Sequence, residues 1–434
     1  MSATTVSLLA AGLVLVPALI LGVNIGVALM IAGVLGSIVF TGSWFAGVTT
    51  PLLQTVDVAS SYPLMVIPLF LLMGTLATQT GITVDLFRAF YLWIGRLPGG
   101  IAVATIGTCA GMAAITGSSV AVAGTMCKIA LPELRRYGYR DDLSVGAISV
   151  GGTLAIMIPP SITFVLYAIF AEQSIGQLLI AGILPGLLLA FLYGLKIVIR
   201  CILVPSLGPP APRATWSERL TALPLVLPFI GVVVAILGGM LIGLWTPVES
   251  AAIGVALVFL LGIVARRLSL AQTLEALLET VLSSASIFLV VVGSLVFGNF
   301  LALNGAAENL ARWIGDLSLT PGTLFGMLML FYFLLGCFME ITSILALTIP
   351  LVMPLVGAAG WNPIWFGVVV VTMMEVAAVT PPVGLNLYAV RSAAPDVPLR
   401  TIYAGAVPFW CINIAVVFLL YAFPQIALYL PSKM

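Results

Sequence analysis

The sequence predicts an all-α polytopic membrane protein made of two related halves. Of its 434 residues, 62% are hydrophobic and only 7% are charged, against roughly 25% charged residues in soluble domains. Several apolar segments reach the about 20 residues that a membrane-spanning helix needs, and they are too uniformly apolar for barrel strands. The third observation is a duplication, since Pro159-Pro160 and Pro381-Pro382 interrupt apolar stretches at corresponding points.

The duplication extends beyond the proline pairs. Ile158-Pro-Pro-Ser is followed by Tyr167 and later by Pro185, while Thr380-Pro-Pro-Val is followed by Tyr388 and later by Pro408. The separations of these pairs are 222, 221 and 223 residues. We therefore predict two repeats of about 222 residues, 1–210 and 211–434.

Each repeat contains five predicted crossings, because apolar segments of membrane length recur in the same order. In the first repeat they are 5–22, 24–43, 62–80, 143–170 and 177–203, and in the second 221–243, 248–265, 283–304, 363–390 and 402–430. The crossings 143–170 and 363–390 contain the proline pairs, so we expect broken helices there.

One amphipathic segment follows the third crossing of each repeat. Ile82–Leu97 and Ala306–Leu317 mix charged residues with aromatic ones, among them Trp93 and Trp313. This composition is typical of helices that lie in the headgroup plane. An ordinary connecting helix would have the same composition, so both interpretations stay open.

A long apolar segment with a small, polar centre comes next in each repeat, over about 100–131 and 322–356. Each could cross the membrane once or turn back as a re-entrant hairpin. The hairpin interpretation places 14 of the 16 Lys and Arg residues on one side, all except Arg312 and Lys433, and the positive-inside rule makes that side cytoplasmic. Both termini are then periplasmic, and an odd number of crossings inverts one repeat relative to the other.

The first proline pair and the first hairpin tip predict a sodium site. A helix that breaks inside the membrane frees backbone carbonyls, which are costly in hydrocarbon unless something pairs with them. Carbonyl and hydroxyl oxygens without formal charge suit a hard monovalent cation such as Na⁺. A packing kink and a small-residue helix contact are the alternatives. The predicted ligands are Gly117, Ser118, Ser119, Ile158, Pro159 and Pro160.

A second sodium site is predicted at the equivalent place in the second repeat. Its ligands would come from the tip and from the second proline pair, namely Glu340, Thr342, Ser343, Thr380, Pro381 and Pro382. The half-helix N-termini at both breaks carry partial positive charge, which favours the carboxylate of an anionic substrate. The residues predicted to bind that substrate are Ser118, Ser161, Thr163, Thr380 and Asn386.

Three carboxylates lie within the apolar segments. Glu340 and Glu375 could bind a cation, carry a proton or pair with a buried arginine, or simply reach an interface or a packing partner. Glu249, in Trp245-Thr-Pro-Val-Glu249, lies at a predicted helix start, where capping is the favoured role.

The composition also excludes several functions. Histidine is absent, which excludes zincins, Ser-His-Asp triads and histidine proton relays. The five cysteines are scattered without a Cys-x-x-Cys pair, and a net charge of +1 indicates no nucleic-acid partner. We therefore predict no enzyme activity and no cofactor, with Na⁺ as a coupling ion only.

Four motifs together carry a family resemblance over essentially the whole chain: Gly117-Ser-Ser-Val-Ala, Ile158-Pro-Pro-Ser, Trp245-Thr-Pro-Val-Glu-Ser-Ala-Ala and Thr380-Pro-Pro-Val-Gly-Leu-Asn-Leu. The chain resembles the large membrane subunit of tripartite ATP-independent periplasmic (TRAP) transporters, in the ion transporter superfamily. Val248 stands where the family often has threonine, which puts a hydroxyl role there in doubt.

The resemblance implies an elevator-type carrier in the bacterial inner membrane, with a transport domain that moves against a scaffold. It implies Na⁺-coupled uptake of a small organic acid, such as a C4-dicarboxylate, a sugar acid or sialic acid. The implied partners are a small four-helix membrane subunit and a periplasmic substrate-binding protein. The alternatives are a divalent-anion/Na⁺ symporter that works without a binding protein, a channel, and an intramembrane enzyme.

Overall fold

The computed structural model describes residues 3–317, 319–381 and 384–434, and all regular secondary structure in these ranges is helical. The α-helices of the first half are α1 (Ala3–Ile20), α2 (Ile25–Thr41), α3 (Trp44–Ser60), α4 (Val66–Gln79), α5 (Ile82–Ile94), α6 (Gly100–Thr116), α7 (Ser119–Arg136), α8 (Asp141–Met157), α9 (Ile162–Phe170), α10 (Ile175–Ala181) and α11 (Ile183–Leu203).

The second half repeats this series. Its α-helices are α12 (Trp216–Val233), α13 (Gly239–Leu241), α14 (Pro247–Val264), α15 (Leu270–Leu303), α16 (Ala306–Asp316), α17 (Pro321–Gly336), α18 (Ile341–Ala358), α19 (Pro363–Ala378), α20 (Leu385–Ala393), α21 (Leu399–Ala422) and α22 (Gln425–Leu428). Moving the bounds of α7 along the chain by 222 residues gives 341–358, the bounds of α18. The same shift takes α8 to within one residue of α19.

The helix α3 was not predicted, and its counterpart in the second half explains the largest error in a predicted boundary. The predicted crossing 283–304 begins 13 residues earlier, because α15 is a continuous helix of 34 residues. Its N-terminal part corresponds to α3, which in the first half is separated from α4 by Ser61 and a 3₁₀ turn containing Pro63. Proline breaks the helix in the first half, and 283–285 contains no proline.

Within the described ranges, eight helical segments are long and apolar enough to cross a bilayer, or nine if the bent pair α8–α9 is one span. Seven of the eight coincide with predicted crossings, and the eighth is α18, the second arm of the predicted hairpin at 322–356. α2 and α19 are apolar but shorter, with 17 and 16 residues. The prediction of a helical polytopic membrane protein is confirmed.

Both predicted hairpins turn back. We call α6–α7 hairpin 1 and α17–α18 hairpin 2. At the open end of hairpin 1, the Ile101 amide of α6 donates a hydrogen bond to the Tyr139 hydroxyl just after α7, at 3.1 Å. At the open end of hairpin 2, the Phe325 and Trp361 rings lie 6.1 Å apart. Because the two ends of each segment meet, neither segment is a single straight crossing.

Two groups of helices can be distinguished by their packing, and they touch where α4 meets α6 and where α15 meets α18. In the first, α2 packs against α1 and α15, and α4 packs against α14 and α15. In the second, α8 packs against both arms of hairpin 1 and against α21, while α19 packs against both arms of hairpin 2 and against α21. We call this second group the hairpin bundle (α6–α11 and α17–α21). It contains both breaks and both hairpin tips.

A glycine contact fixes the crossing of α8 and α21 in the hairpin bundle. A Cβ atom on Gly405 would lie 2.0 Å from the Asp142 carbonyl oxygen and 3.0 Å from the Cα atom of Gly146. Real Cβ atoms do not approach backbone this closely, so the two helices could not keep this distance with any larger residue.

We expect Gly405→Ala to destabilise the folded protein by about 1–3 kcal/mol, because the added methyl group must push two helix backbones apart. The measurement is the thermal unfolding midpoint in detergent. The control is Gly124→Ala in α7, where a Cβ atom would meet nothing within 4 Å and alanine favours the helix. Equal midpoints for both variants would contradict the close crossing.

The predicted topology can be tested by labelling single cysteines in a Cys411→Ser background, since Cys411 is an exposed native thiol. Arg136→Cys and Ser206→Cys should react only with reagent on the cytoplasmic side, and Asp316→Cys only with reagent outside. All three positions are exposed. Labelling of residue 136 from outside would contradict the topology.

Candidate functional site

The tip of hairpin 1 lies directly against the first break. Gly117 adopts a left-handed conformation, with φ of 60°, and a Cβ atom there would lie 2.9 Å from the Pro160 carbonyl oxygen. Ser118 caps α7, accepting the Ala121 amide at 3.4 Å, and Ser119 is the first residue of that helix. The predicted pairing of this tip with this break is therefore present in the fold.

The first break spans Ile158–Ser161, between helices that meet at an angle of 43°. The Pro159–Pro160 peptide bond is cis. Ser161 is fully buried, and its hydroxyl donates to the Ile156 carbonyl and accepts the Phe164 amide. Both hydrogen bonds hold the break together, while Thr163, in the first turn of α9, is half-buried.

The break leaves three carbonyl oxygens without partners. Within the described residues, no N–H or O–H group donates to the carbonyls of Ile158, Pro159 or Pro160. All three residues are buried. Buried backbone carbonyls almost always have a partner, so these oxygens, of which that of Pro160 lies beside Gly117, are suited to bind a cation.

Glu340 lies at the tip of hairpin 2, immediately before α18. Its carboxylate caps α18, accepting the Thr342 hydroxyl at 2.8 Å and the Ser343 amide at 3.2 Å. Glu340 is exposed, and Thr342 and Ser343 are partly exposed. At the end of α17, a Cβ atom on Gly336 would lie 2.2 Å from the Cβ atom of Ala377 in α19. The second tip therefore also lies close to its break.

The second break follows Ala378, and α20 begins at Leu385. The Thr380 hydroxyl donates to the Val376 carbonyl at 2.5 Å. Its backbone carbonyl lies near Gly384, where a Cβ atom would be 3.2 Å from that oxygen. Pro381 is exposed. Pro382, also predicted as a sodium ligand, lies outside the described residues.

The two halves interlock at these breaks. The second arm of hairpin 1 packs against α20, beyond the second break, and the second arm of hairpin 2 packs against α9, beyond the first. Asn386 of α20 is fully buried and donates to the Ser149 carbonyl of α8 at 3.4 Å. Its amide oxygen has no hydrogen-bond partner among the described residues.

An ion pair outside the apolar segments holds the same two halves together. Arg135, at the end of hairpin 1, contacts Asp141 at 2.8 Å and Asp396 of the loop between α20 and α21 at 2.6 Å. The hydrogen bond from this guanidinium lowers the pKa of the Asp396 carboxyl. The carboxylate therefore stays ionised and paired at neutral pH.

Two hydrogen bonds near the second break have no counterpart in the first half. The Trp410 indole donates to the Val379 carbonyl at 3.1 Å, and residue 188, its equivalent in the first half, is a leucine. The contact of Asn386 with Ser149 is also specific to one half, because residue 165, its equivalent, is a valine. Comparing the two repeats position by position would have marked both residues as departures from symmetry.

No basic residue belongs to the tips or the breaks, since Lys and Arg are absent from 97–127, 141–195 and 313–390. Groups of three or more His, Cys, Asp or Glu that could hold a metal are also absent from the part of the chain that the structure describes. A bound cation would therefore be held chiefly by carbonyl and hydroxyl oxygens. Glu249 forms the predicted cap, accepting the Thr246 amide at 2.7 Å.

Comparison with known proteins identifies the family. Residues 12–426 match the family described as "Tripartite ATP-independent periplasmic transporter, DctM component". The chain is 32% identical to the C4-dicarboxylate TRAP transporter large permease protein DctM of Pseudomonas aeruginosa, covering 93% of this chain and 94% of that protein. It is 30% identical to the sialic acid TRAP transporter large permease protein SiaM of Vibrio cholerae, covering 95% of each.

The fold is also shared with solved transporter structures of low sequence identity. The YdaH transporter of Alcanivorax borkumensis superimposes with a TM-score of 0.64 at 15% identity, covering 88% of this chain and 89% of that one. MtrF of Neisseria gonorrhoeae gives 0.54 at 15% identity, covering 88% and 84%. Because the family match spans nearly the whole chain, this multi-pass protein is a transporter rather than an enzyme, and it belongs to the large membrane subunits of the TRAP transporter family.

Proposed function

We propose that this chain carries out Na⁺-coupled uptake of a small organic acid across the bacterial inner membrane. The observation that carries the proposal is the first break, where the carbonyls of three buried residues have no hydrogen-bond partner among the described residues, and the Pro160 oxygen lies against a hairpin tip. Binding of Na⁺ would remove the free-energy cost of leaving these oxygens without a partner. Ligands without formal charge favour a monovalent cation.

The second site would join the tip of hairpin 2 to the second break. The Thr380 hydroxyl donates its proton to Val376, so its lone pairs face away from that bond and are available to a cation. Glu340 is engaged with its own helix end, and its carboxylate would add a negative charge close to this site. The ligand sets proposed here are those predicted from the sequence.

The substrate would be a small anion. α9 and α20 both begin at breaks, and α7 and α18 begin at hairpin tips, so four helix N-termini with partial positive charge converge on the hairpin bundle. With no basic residue there, bound Na⁺ and helix N-termini would neutralise a carboxylate. Relatives are named for C4-dicarboxylate, sialic acid and isethionate transport.

The movement would be of the elevator type, with the hairpin bundle sliding against the first bundle. The agreement of helix bounds under a 222-residue shift supports a duplicated unit, and the predicted topology makes the two units inverted. A small membrane subunit would associate with this chain, as the family implies, and a periplasmic binding protein would deliver the substrate.

We expect Ser119→Ala and Thr380→Ala each to raise the Na⁺ concentration for half-maximal uptake by roughly tenfold, because each removes one oxygen ligand from a cation. Uptake would be measured in proteoliposomes with an imposed Na⁺ gradient, the small subunit and the binding protein. The matched control is Thr372→Ala in α19, whose hydroxyl makes the same bond to the carbonyl four residues back, at 2.8 Å. Unchanged Na⁺ dependence in both test variants would remove these residues from the sites.

Dependence on a binding protein separates this proposal from a symporter that works alone. We expect uptake in the same proteoliposomes to require the soluble binding protein, and to stop when a binding protein of another substrate class replaces it. Saturable, Na⁺-dependent uptake with the binding protein omitted would favour the symporter.

A further inference from the structure

Glu375 is a buried acid that the proposed sodium sites do not use. It lies in the last turn of α19, and its side chain is fully buried. Neither carboxylate oxygen has a hydrogen-bond partner within the described residues. None of the ion pairs formed by described residues includes it.

Polar side chains of α8 and α11 in this part of the hairpin bundle already have hydrogen-bond partners. Tyr193 of α11 is in electrostatic contact with Glu375, but its hydroxyl donates to the Asn413 side chain of α21. The Thr153 hydroxyl of α8 donates to the Val150 carbonyl at 2.8 Å. None of these groups donates a hydrogen bond to the Glu375 carboxylate.

Glu375 also faces away from hairpin 2. Ala377, which meets Gly336 of that hairpin, is two residues further along α19 and so about 200° around the helix axis. The side chain instead interacts electrostatically with Tyr193 of α11. Glu375 is thus distinct from the proposed ligands Glu340, Thr342 and Ser343.

An ionised carboxylate at this position would be opposed by two effects. Taking an unpaired charge out of water is very costly, and the C-terminal end of a helix carries partial negative charge, which repels an anion. The neutral carboxylic acid avoids both costs.

We propose that Glu375 is a proton-binding site of the hairpin bundle, occupied in this conformation, and that it releases its proton when a cation occupies the second break. The second part rests on the proposed function. Thr380 is five residues further along the chain, or about 8 Å along a helix. A cation at that distance favours the ionised carboxylate, so Na⁺ and the proton compete.

Other charged or titratable groups lie on the elements packed against α19 and on α11. They are Asp141 and Asp142 of α8, Tyr167 of α9, Tyr332 of α17, Glu340 at the start of α18, Tyr388 and Arg391 of α20, Arg400, Tyr403, Cys411 and Tyr421 of α21, and Tyr193, Lys196, Arg200 and Cys201 of α11. Lys196, the cation nearest along α11 to Tyr193, lies over the Phe409 ring at 4.8 Å. None of the basic groups forms an ion pair with Glu375.

The proposed proton-binding site is tested first, in the absence of Na⁺. Thermal unfolding midpoints of the wild type, Glu375→Gln and Glu279→Gln would be measured in choline buffer from pH 5.5 to 8.5. An unfolded glutamate releases its proton near pH 4.3, so a proton kept by the folded state makes stability fall as pH rises. We expect this fall in the wild type and in the exposed-site control Glu279→Gln, and its reduction in Glu375→Gln. Parallel profiles for all three proteins would overturn the proposal.

The coupling is tested by titrating Na⁺ into the same proteins and following the midpoint. We expect the half-maximal Na⁺ concentration of the wild type to fall on the order of tenfold from pH 5.5 to 8.5, and that of Glu375→Gln to stay constant. A constant value in the wild type would overturn the coupling. Absence of Na⁺ stabilisation at every pH would refute the proposed sodium sites, and the sodium-free profiles would still decide the proton site.

Failure of the Glu375 variants to fold would also test the proposal. If a neutral acid occupies this site, Glu375→Gln and the apolar Glu375→Met should both be purified as folded protein. Failure of both, with Glu279→Gln folded normally, would show that the charged form is needed and would overturn the proposal.

Discussion

The structure depends on which groups pair with the backbone carbonyls of two broken helices. Proline cannot donate to a helix, so each proline pair frees oxygens in a region without water. At the first break the tip of hairpin 1 lies against one of these oxygens, that of Pro160, and no group among the described residues donates to it. At the second break the Trp410 indole pairs with one carbonyl and the Thr380 hydroxyl with another. The two breaks differ in the side chains that pair with their carbonyls, a serine hydroxyl at the first and a threonine hydroxyl and an indole at the second.

The rest of the hairpin bundle holds the tips and breaks in position. The close crossing of α8 and α21, the contact of Asn386 with Ser149 and the ion pair of Arg135 with Asp396 all join residues from different halves. Each hairpin packs against its own broken helix and against the half-helix of the other repeat, so the two breaks share packing partners. This arrangement gives a physical basis for binding of cation, substrate and proton to depend on one another.

Much of this fold could be predicted from the sequence, because membrane length, proline and duplication are strong local signals. These signals predicted the broken helices, the hairpins with their tips at Gly117 and near Glu340, and the cap at Glu249. The helix α3 was missed because Trp44–Ser60 mixes polar residues, among them Gln54 and Asp57, with apolar ones. The contacts between halves were not predictable, since periodicity along a helix does not determine which distant helix it meets. Glu375 could be noticed in the sequence, but its lack of partners could be seen only once α11 and α21 were packed around it.

The most direct test of this account is a high-resolution density map of the purified protein, determined once in Na⁺ and once in choline buffer. The account predicts a density peak in Na⁺ alone, within coordinating distance of the carbonyl oxygens of Ile158, Pro159 and Pro160 and of the tip at Gly117. A map in Na⁺ in which protein donors pair with these carbonyls, or in which α8 and α9 form one unbroken helix, would contradict it.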